Sequence, residues 1–346
     1  MEYQQINIPQ TSLTEKSEKI QSLLRLHPMV AAPMAGVTDV PFRRIVRSFG
    51  PQLIYSEMVE AECLLCHTQR ELKRLGNLQE FFPMVVQLLG RKKEQIAQAA
   101  KILEQEGAFA LDINMGCPAQ KVLRSKKGAA LLKETGTAME LTEAVSSQVS
   151  IPVGVKIRNG WSEKWNETNG FDIGEFALHL QQSGASFLAV HGRTAQDGYA
   201  GKADWNCVKR VKQAVTVPVI GNGDILSCQE AFDKQALSGC AGVMIGRGLL
   251  GRPWLLSVME KKDSSEKEGD FAPPPEFPSL AQVVLAHFRE MTAFYGVPHG
   301  IFVARKHLCW YAEGKSGAKE FKSMILKQTD ASVMEQMITD FFENEK

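Results

Sequence analysis

Eight short apolar runs with amphipathic segments between them constrain this sequence more than any other feature. They are Met29–Ala35, Leu53–Met58, Met84–Leu89, Ala110–Met115, Val153–Ile157, Phe187–His191, Pro218–Gly221 and Gly242–Gly246. They do not alternate polar with apolar, which is the pattern of strands buried on both faces of a parallel sheet. The intervening segments read as helices. Arg91–Glu106 carries Ile96, Ala100 and Leu103 on one face and stops at Gly107, and Asp39-Val40-Pro41 opens another with a capping side chain just before a Pro. Asp204–Val215 and Gln229–Leu237 follow the same scheme. Eight β-then-α units in about 250 residues predict a (β/α)8 TIM barrel. A doubly wound sheet would need fewer strands, or a dinucleotide fingerprint near the N-terminus.

The rest of the chain divides around that barrel. Residues 1–28 form an N-terminal extension to which the sequence assigns no role, and residues 29–260 form the barrel. Residues 261–279 are charged, then Pro-rich, a composition that cannot pack a core and reads as a linker. Residues 280–346 read as a small helical domain, with helices over Leu280–Tyr295, Ile301–Glu313 and Ala318–Phe342. No stretch approaches the ~18 apolar residues of a membrane span. Met1-Glu-Tyr-Gln-Gln5 lacks the basic start and apolar core of a secretion signal. Seven cysteines without a dense framework suit a reducing compartment, so a cytoplasmic protein is expected; a monomer is the default expectation, which nothing in the sequence fixes. Cys63-x-x-Cys66-His67 has no second Cys or His pair at zinc spacing, so no metal is expected.

Forty basic residues against 39 acidic leave a formal charge of +1, so a polyanionic partner would need a local patch. Two patches stand out. One is Lys121, Arg124, Lys126, Lys127 and Lys133; the other is Arg305–Lys327, interleaved with Trp310, Tyr311 and Phe321.

In a barrel of this type the chemistry sits at the C-terminal ends of the strands. Those ends carry Pro33-Met34-Ala35, Gln87, Asn114 with Cys117, Lys156 with Arg158, His191 with Arg193, Asn222-Gly223-Asp224, and Gly246-Arg247. A Cys on the turn Asn114-Met-Gly-Cys-Pro118, just past a strand, is placed to act on a ligand rather than to fill a core. Lys156 within an apolar run calls for an anion, either a protein carboxylate across the barrel mouth or a negative ligand. Gly246-Arg-Gly248-Leu-Leu-Gly251 matches G-x-G-x-x-G, yet the acidic residue of a dinucleotide site would fall in the linker. After the eighth strand the same glycines suit a barrel's phosphate site, with Arg247 on the phosphate, and flavin mononucleotide (FMN) fits that geometry.

At these residues the chain resembles the tRNA-dihydrouridine synthases of the bacterial B type. The matching stretches are Ala32-Pro-Met-Ala-Gly-Val-Thr-Asp39, Asn114-Met-Gly-Cys-Pro118, Val155-Lys-Ile-Arg158, Val190-His-Gly-Arg-Thr194, Gly198-Tyr-Ala-Gly201 with Ala203-Asp-Trp205, Val219-Ile-Gly-Asn-Gly-Asp224 and Gly242-Val-Met-Ile-Gly-Arg-Gly248. They occur in family order over residues 29–255, and Arg305-Lys306-His307 through Tyr311 looks like the family's helical domain. Lys126-Lys127 and Ala241 depart from the usual pattern.

The resemblance implies an FMN enzyme that reduces one uridine of tRNA, with NADPH as reductant. It implies flavin contacts from Pro33, Met34, Ala35, Gln87, Lys156, His191, Asn222, Gly223, Asp224, Gly246 and Arg247. Cys117 would protonate uracil C5 after hydride transfer to C6, and Asn114, Arg158 and Arg193 would hold the substrate. Three alternatives stay open: a flavin barrel reducing a free pyrimidine such as dihydroorotate, a Schiff-base enzyme on Lys156, and a non-catalytic RNA-binding module.

Overall fold

Each apolar run becomes a strand in the computed structural model, which describes residues 12–50, 52–162, 172–261, 273 and 278–343. The strands are β1 (Met29–Ala31), β2 (Ile54–Glu60), β3 (Met84–Leu89), β4 (Ala110–Met115), β5 (Val153–Arg158), β6 (Phe187–His191), β7 (Val219–Asn222) and β8 (Gly242–Ile245). All neighbours pair in parallel, and β8 pairs with β1 to close a TIM barrel. β1 is shorter than its apolar run, because the chain turns at Met34, whose carbonyl accepts from Val37 and Thr38. The expected linker falls mostly outside the described residues.

Strand parity sorts the side chains into two cores. One set, including Val86, Leu111, Ile113, Val155, Ile157 and Val243, packs with the surrounding helices. The other set, including Val30, Tyr55, Val85, Ala110, Phe187, Ala189, Ile220 and Met244, fills the barrel interior.

The extension that the sequence left without a role closes the lower end of that interior. Helix Leu13–Leu26 starts at a Ser12/Glu15 capping box and sends fully buried Ile20 and Leu24 into the inner core. Leu24 lies beside Gly242, the first residue of β8, so the helix sits at the N-terminal rim. Lys16 ties it down, its Nζ donating to the carbonyls of Val149 at 2.6 Å and Ser146 at 3.3 Å.

Helices Leu280–Tyr295 and Val297–Tyr311 pack against helix Val40–Arg47, which follows β1. Phe42 meets the rings of His287 and His307, each at 5.9 Å between centroids. Polar contacts bracket that aromatic cluster. Tyr295 donates to Asp39 at 2.7 Å, Arg44 pairs with Glu290 at 2.9 Å, and Lys306 donates to the Gly36 carbonyl.

The continuous helix expected over 318–342 is instead two, Ala318–Ile325 and Ala331–Glu343. The break has a local cause. Gln328 Oε1 accepts from the amides of Thr329 and Asp330, Asp330 Oδ1 accepts from Val333, and Arg305 donates to the Gln328 carbonyl. These side-chain bonds compete with helix continuation and start a new helix. Among the described residues no helix is long and apolar enough to cross a membrane.

Candidate active site

A cavity of about 860 Å³ opens at the C-terminal ends of the strands. Every residue that the sequence placed in the site lines it: Pro33, Met34, Ala35, Gln87, Asn114, Cys117, Lys156, Arg158, His191, Arg193, Asn222, Gly223, Asp224, Gly246 and Arg247. Parity explains how eight separate strand ends converge. Asn114 pairs with Lys156, Arg158 with His191, and His191 with Asn222, so neighbouring strands lift these side chains to adjoining heights on the inner wall.

The floor is a chain of amides. Gln87 Nε2 donates to Asp112 Oδ2 at 2.7 Å, and Asn114 Nδ2 donates to Gln87 Oε1 at 2.7 Å. Asn114 Oδ1 accepts from the amides of Gly116 at 3.1 Å and Cys117 at 2.9 Å, holding the turn that carries the half-buried thiol. Lys156 is half-buried and aimed by Asn222, whose Oδ1 accepts from Nζ at 3.0 Å while its Nδ2 donates to the Met244 carbonyl at 2.8 Å.

Charge on this floor is held against a desolvation penalty. Burial pulls the Lys156 amine below its ordinary value, and the Arg158 charge adds to that, while Asp112 opposes it. Burial likewise pushes the Asp112 carboxyl up, opposed by its Gln87 bond and by Lys156. His191 is pushed well below the usual imidazole range by burial and then by the surrounding cations, so its ring is neutral near pH 7.

Asp112 is not among the residues expected in the site, because it lies inside the apolar run Ala110–Met115. Parity was the available signal: Asp112 stands two residues before Asn114 and therefore on the same inward face.

The upper wall is held mostly by its own hydrogen bonds. Arg158 donates to the carbonyls of Gly116, Thr194 and Gly198, each at 2.8 Å. Arg193 donates to Ala200 at 2.8 Å and Gly201 at 2.6 Å, and its Nη1 pairs with Asp224 at 2.8 Å. Both arginines thus fasten the 194–201 loop. Asp224 also accepts from Ala203, so its carboxylate is engaged by the protein. Tyr199 stands exposed at the mouth, with the guanidinium carbons of Arg158 and Arg247 at 5.7 and 5.2 Å from its ring.

The three glycines of the G-x-G-x-x-G stretch serve different ends. Gly246 and Gly248 line the cavity. A Cβ on Gly248 would sit 2.5 Å from the Ile225 carbonyl oxygen, and one on Gly251 the same distance from the Trp310 carbonyl oxygen. The third glycine therefore serves docking of the C-terminal helices.

One basic patch is smaller than its sequence. Lys127 is buried and ion-paired to Glu60 and Glu62, and Lys133 Nζ lies 4.1 Å over the Trp161 ring. Lys121, Arg124 and Lys126 remain exposed beside Cys117. Cys63 and Cys66 lie on the short helix Ala61–Cys66, and among the described residues no His/Cys/Asp/Glu group is arranged to hold a metal.

The chain has relatives in sequence. A family profile described as Dihydrouridine synthase (Dus) matches residues 29–346. A probable tRNA-dihydrouridine synthase of Rhodobacter capsulatus is 39% identical over 92% of this chain and 96% of its own. One of Rickettsia bellii is 38% identical over 91% and 94%. The tRNA-dihydrouridine synthase B of Pseudomonas putida is 37% identical over 91% of both chains.

Proposed function

The chain belongs to the dihydrouridine synthase family, a family of oxidoreductases, and from that premise we propose that it reduces a specific uridine of tRNA to 5,6-dihydrouridine, using FMN and NADPH. The observation that carries this reading is one cavity holding a thiol on its wall, a lysine aimed by Asn222 on its floor, and a glycine–arginine turn at its rim.

The residues present fit a flavin. Met34, Met58 and Met244 offer apolar, polarizable surface for a flat ring system. Lys156, with the one Gln87 N–H not given to Asp112, would supply positive charge and donors to the carbonyl and N1 edge of such a ring. Gly246 and Arg247, with Gly223 on the same cavity wall, suit a terminal phosphate. When bound, such a group supplies a two-electron reduction of a carbon–carbon double bond.

The chain's own residues do the rest. Reduction at uracil C6 leaves negative charge spread over C5, C4 and O4. Cys117, on the turn above the floor, gives its proton to C5 as a general acid. Asn114 Nδ2 and the arginine-fastened wall orient the ring. Neutral His191 can donate a hydrogen bond without adding a further charge beside Lys156. A uridine stacked within tRNA cannot reach this depth, so the base must be flipped into the mouth. Exposed Lys121, Arg124 and Lys126, together with the C-terminal helices, are the surfaces that would meet phosphate.

The test is spectroscopic. The purified protein should carry a flavin absorbance that NADPH bleaches and unmodified tRNA restores. Absence of flavin binding after added FMN, or restoration by a free pyrimidine and not by tRNA, would refute the reading.

A further inference from the structure

Asp112 is fully buried on the inner face of β4, in register with Gln87 and one inward position before Asn114, and has no part in the chemistry described above. Its Oδ2 ends the amide chain, and its Oδ1 has no hydrogen-bond partner. The Gly116 and Cys117 N–H groups can only donate, and following the chain back from them leaves the Gln87 nitrogen facing Asp112, the arrangement an ionised carboxylate accepts. The Gln87 oxygen then faces Asn114, whose nitrogen must turn toward it, leaving the Asn114 oxygen for the Gly116 and Cys117 amides. The two ends of the chain agree, because backbone N–H groups need an acceptor and a carboxylate needs a donor. With Gln87 1% exposed and Asn114 7%, water is in no position to substitute for a missing link.

We propose that Asp112 is a positioning residue that locks the Gln87–Asn114 relay in one orientation. It thereby fixes the turn bearing Cys117 and commits Asn114 to present N–H, not C=O, to the cavity. The second Nδ2 proton of Asn114 meets Met58 Sδ at 4.0 Å, a weak contact that a carbonyl oxygen would replace. This end of the cavity thus selects a ring carbonyl and disfavours an exocyclic amine, which distinguishes uracil from cytosine. The link to substrate rests on the proposed function; the link from Asp112 to the Cys117 turn does not.

The experiment compares Asp112→Leu with Asp112→Asn in the flavin-loaded protein. Asparagine keeps an acceptor for Gln87 and loses the charge; leucine removes both. The first readout is alkylation of Cys117 by iodoacetamide, scored by peptide mass spectrometry against exposed Cys66 in the same chain. The Cys117/Cys66 ratio should change at least 3-fold in Asp112→Leu and stay within 2-fold in Asp112→Asn. The second readout is stopped-flow absorbance. Flavin reduction by NADPH should stay within about 3-fold of wild type in both variants, while reoxidation by tRNA should slow at least 10-fold in Asp112→Leu alone. Equal losses in the two variants, loss of both half-reactions together, or an unchanged Cys117 ratio in Asp112→Leu would overturn the proposal. If Asp112→Leu does not fold, Gln87→Met cuts the same relay one link later and should give the same Cys117 and reoxidation changes. Wild-type flavin that tRNA fails to reoxidise would refute the proposed function and the uracil selectivity, leaving the Cys117 ratio to judge the relay.

Discussion

The contact of Gly251 with helix Val297–Tyr311 gives a stability difference that can be worked out from the structure. Gly251 has φ +74°, in the left-handed region, and an added Cβ would lie 2.5 Å from the Trp310 oxygen, 2.7 Å from its carbon and 3.0 Å from the Tyr311 nitrogen. Gly239, which ends helix Cys228–Ser238, has φ +67°, and a Cβ added there would meet nothing within 4 Å. Gly239→Ala therefore incurs conformational strain alone, about 1–2 kcal/mol. Gly251→Ala incurs the same strain and also forces the helix backbone away, and such overpacking costs about 1–3 kcal/mol more. The expected totals are about 1–2 kcal/mol for Gly239→Ala and about 2–5 kcal/mol for Gly251→Ala. Urea denaturation would measure both. Flavin content and tRNA affinity would show where the damage falls: Gly251→Ala should retain flavin and lose tRNA affinity, since the displaced element belongs to the C-terminal helices. Equal destabilisation by the two substitutions would refute the claim that Gly251 is there for docking.

Further outcomes follow from the same geometry. Cys117→Ala should bind flavin and tRNA normally but turn over about 10²–10⁴-fold more slowly, the usual range for a lost general acid, as read by dihydrouridine formation. Arg193→Ala should destabilise the protein by about 1–3 kcal/mol in urea denaturation, because it leaves the Ala200 and Gly201 carbonyls without their donor while Asp224 keeps Ala203 and Arg247; unchanged stability with lost tRNA affinity would instead make Arg193 a substrate contact. Burial holds His287 down to about 3 and His307 well below the imidazole range. The unfolded chain thus takes up protons below about pH 6.5 that the fold refuses, and stability must fall as pH drops through that value. His287→Asn, which can still bond the Tyr311 hydroxyl, should flatten that fall by about one proton in urea midpoints measured from pH 5 to 8. Leu24→Ala should cost about 2–5 kcal/mol, since Leu24 plugs the barrel floor.

How much of this was legible in the sequence depends on the range of the interaction. The barrel was legible because eight doubly buried strands leave eight apolar runs, and the lining residues because strand ends in this fold face one mouth. The split of helix 318–342 was not, because its cause includes a hydrogen bond from Arg305, on another helix, to Gln328. The role of residues 13–26 was hidden for the same reason, since Ile20 and Leu24 are explained by the barrel floor they fill. Lys127 read as part of a basic run because its partners Glu60 and Glu62 stand far away in sequence. Asp112 was hidden differently: one acid inside an apolar run looks like noise until the inward parity of Asn114 is applied to it.

The most direct test of the central claim is nucleoside mass spectrometry of unmodified tRNA after incubation with the flavin-loaded protein and NADPH. The expected result is a gain of two hydrogens at one uridine, dependent on NADPH and largely lost in Cys117→Ala. An unchanged nucleoside profile from protein that carries flavin and oxidises NADPH would contradict it.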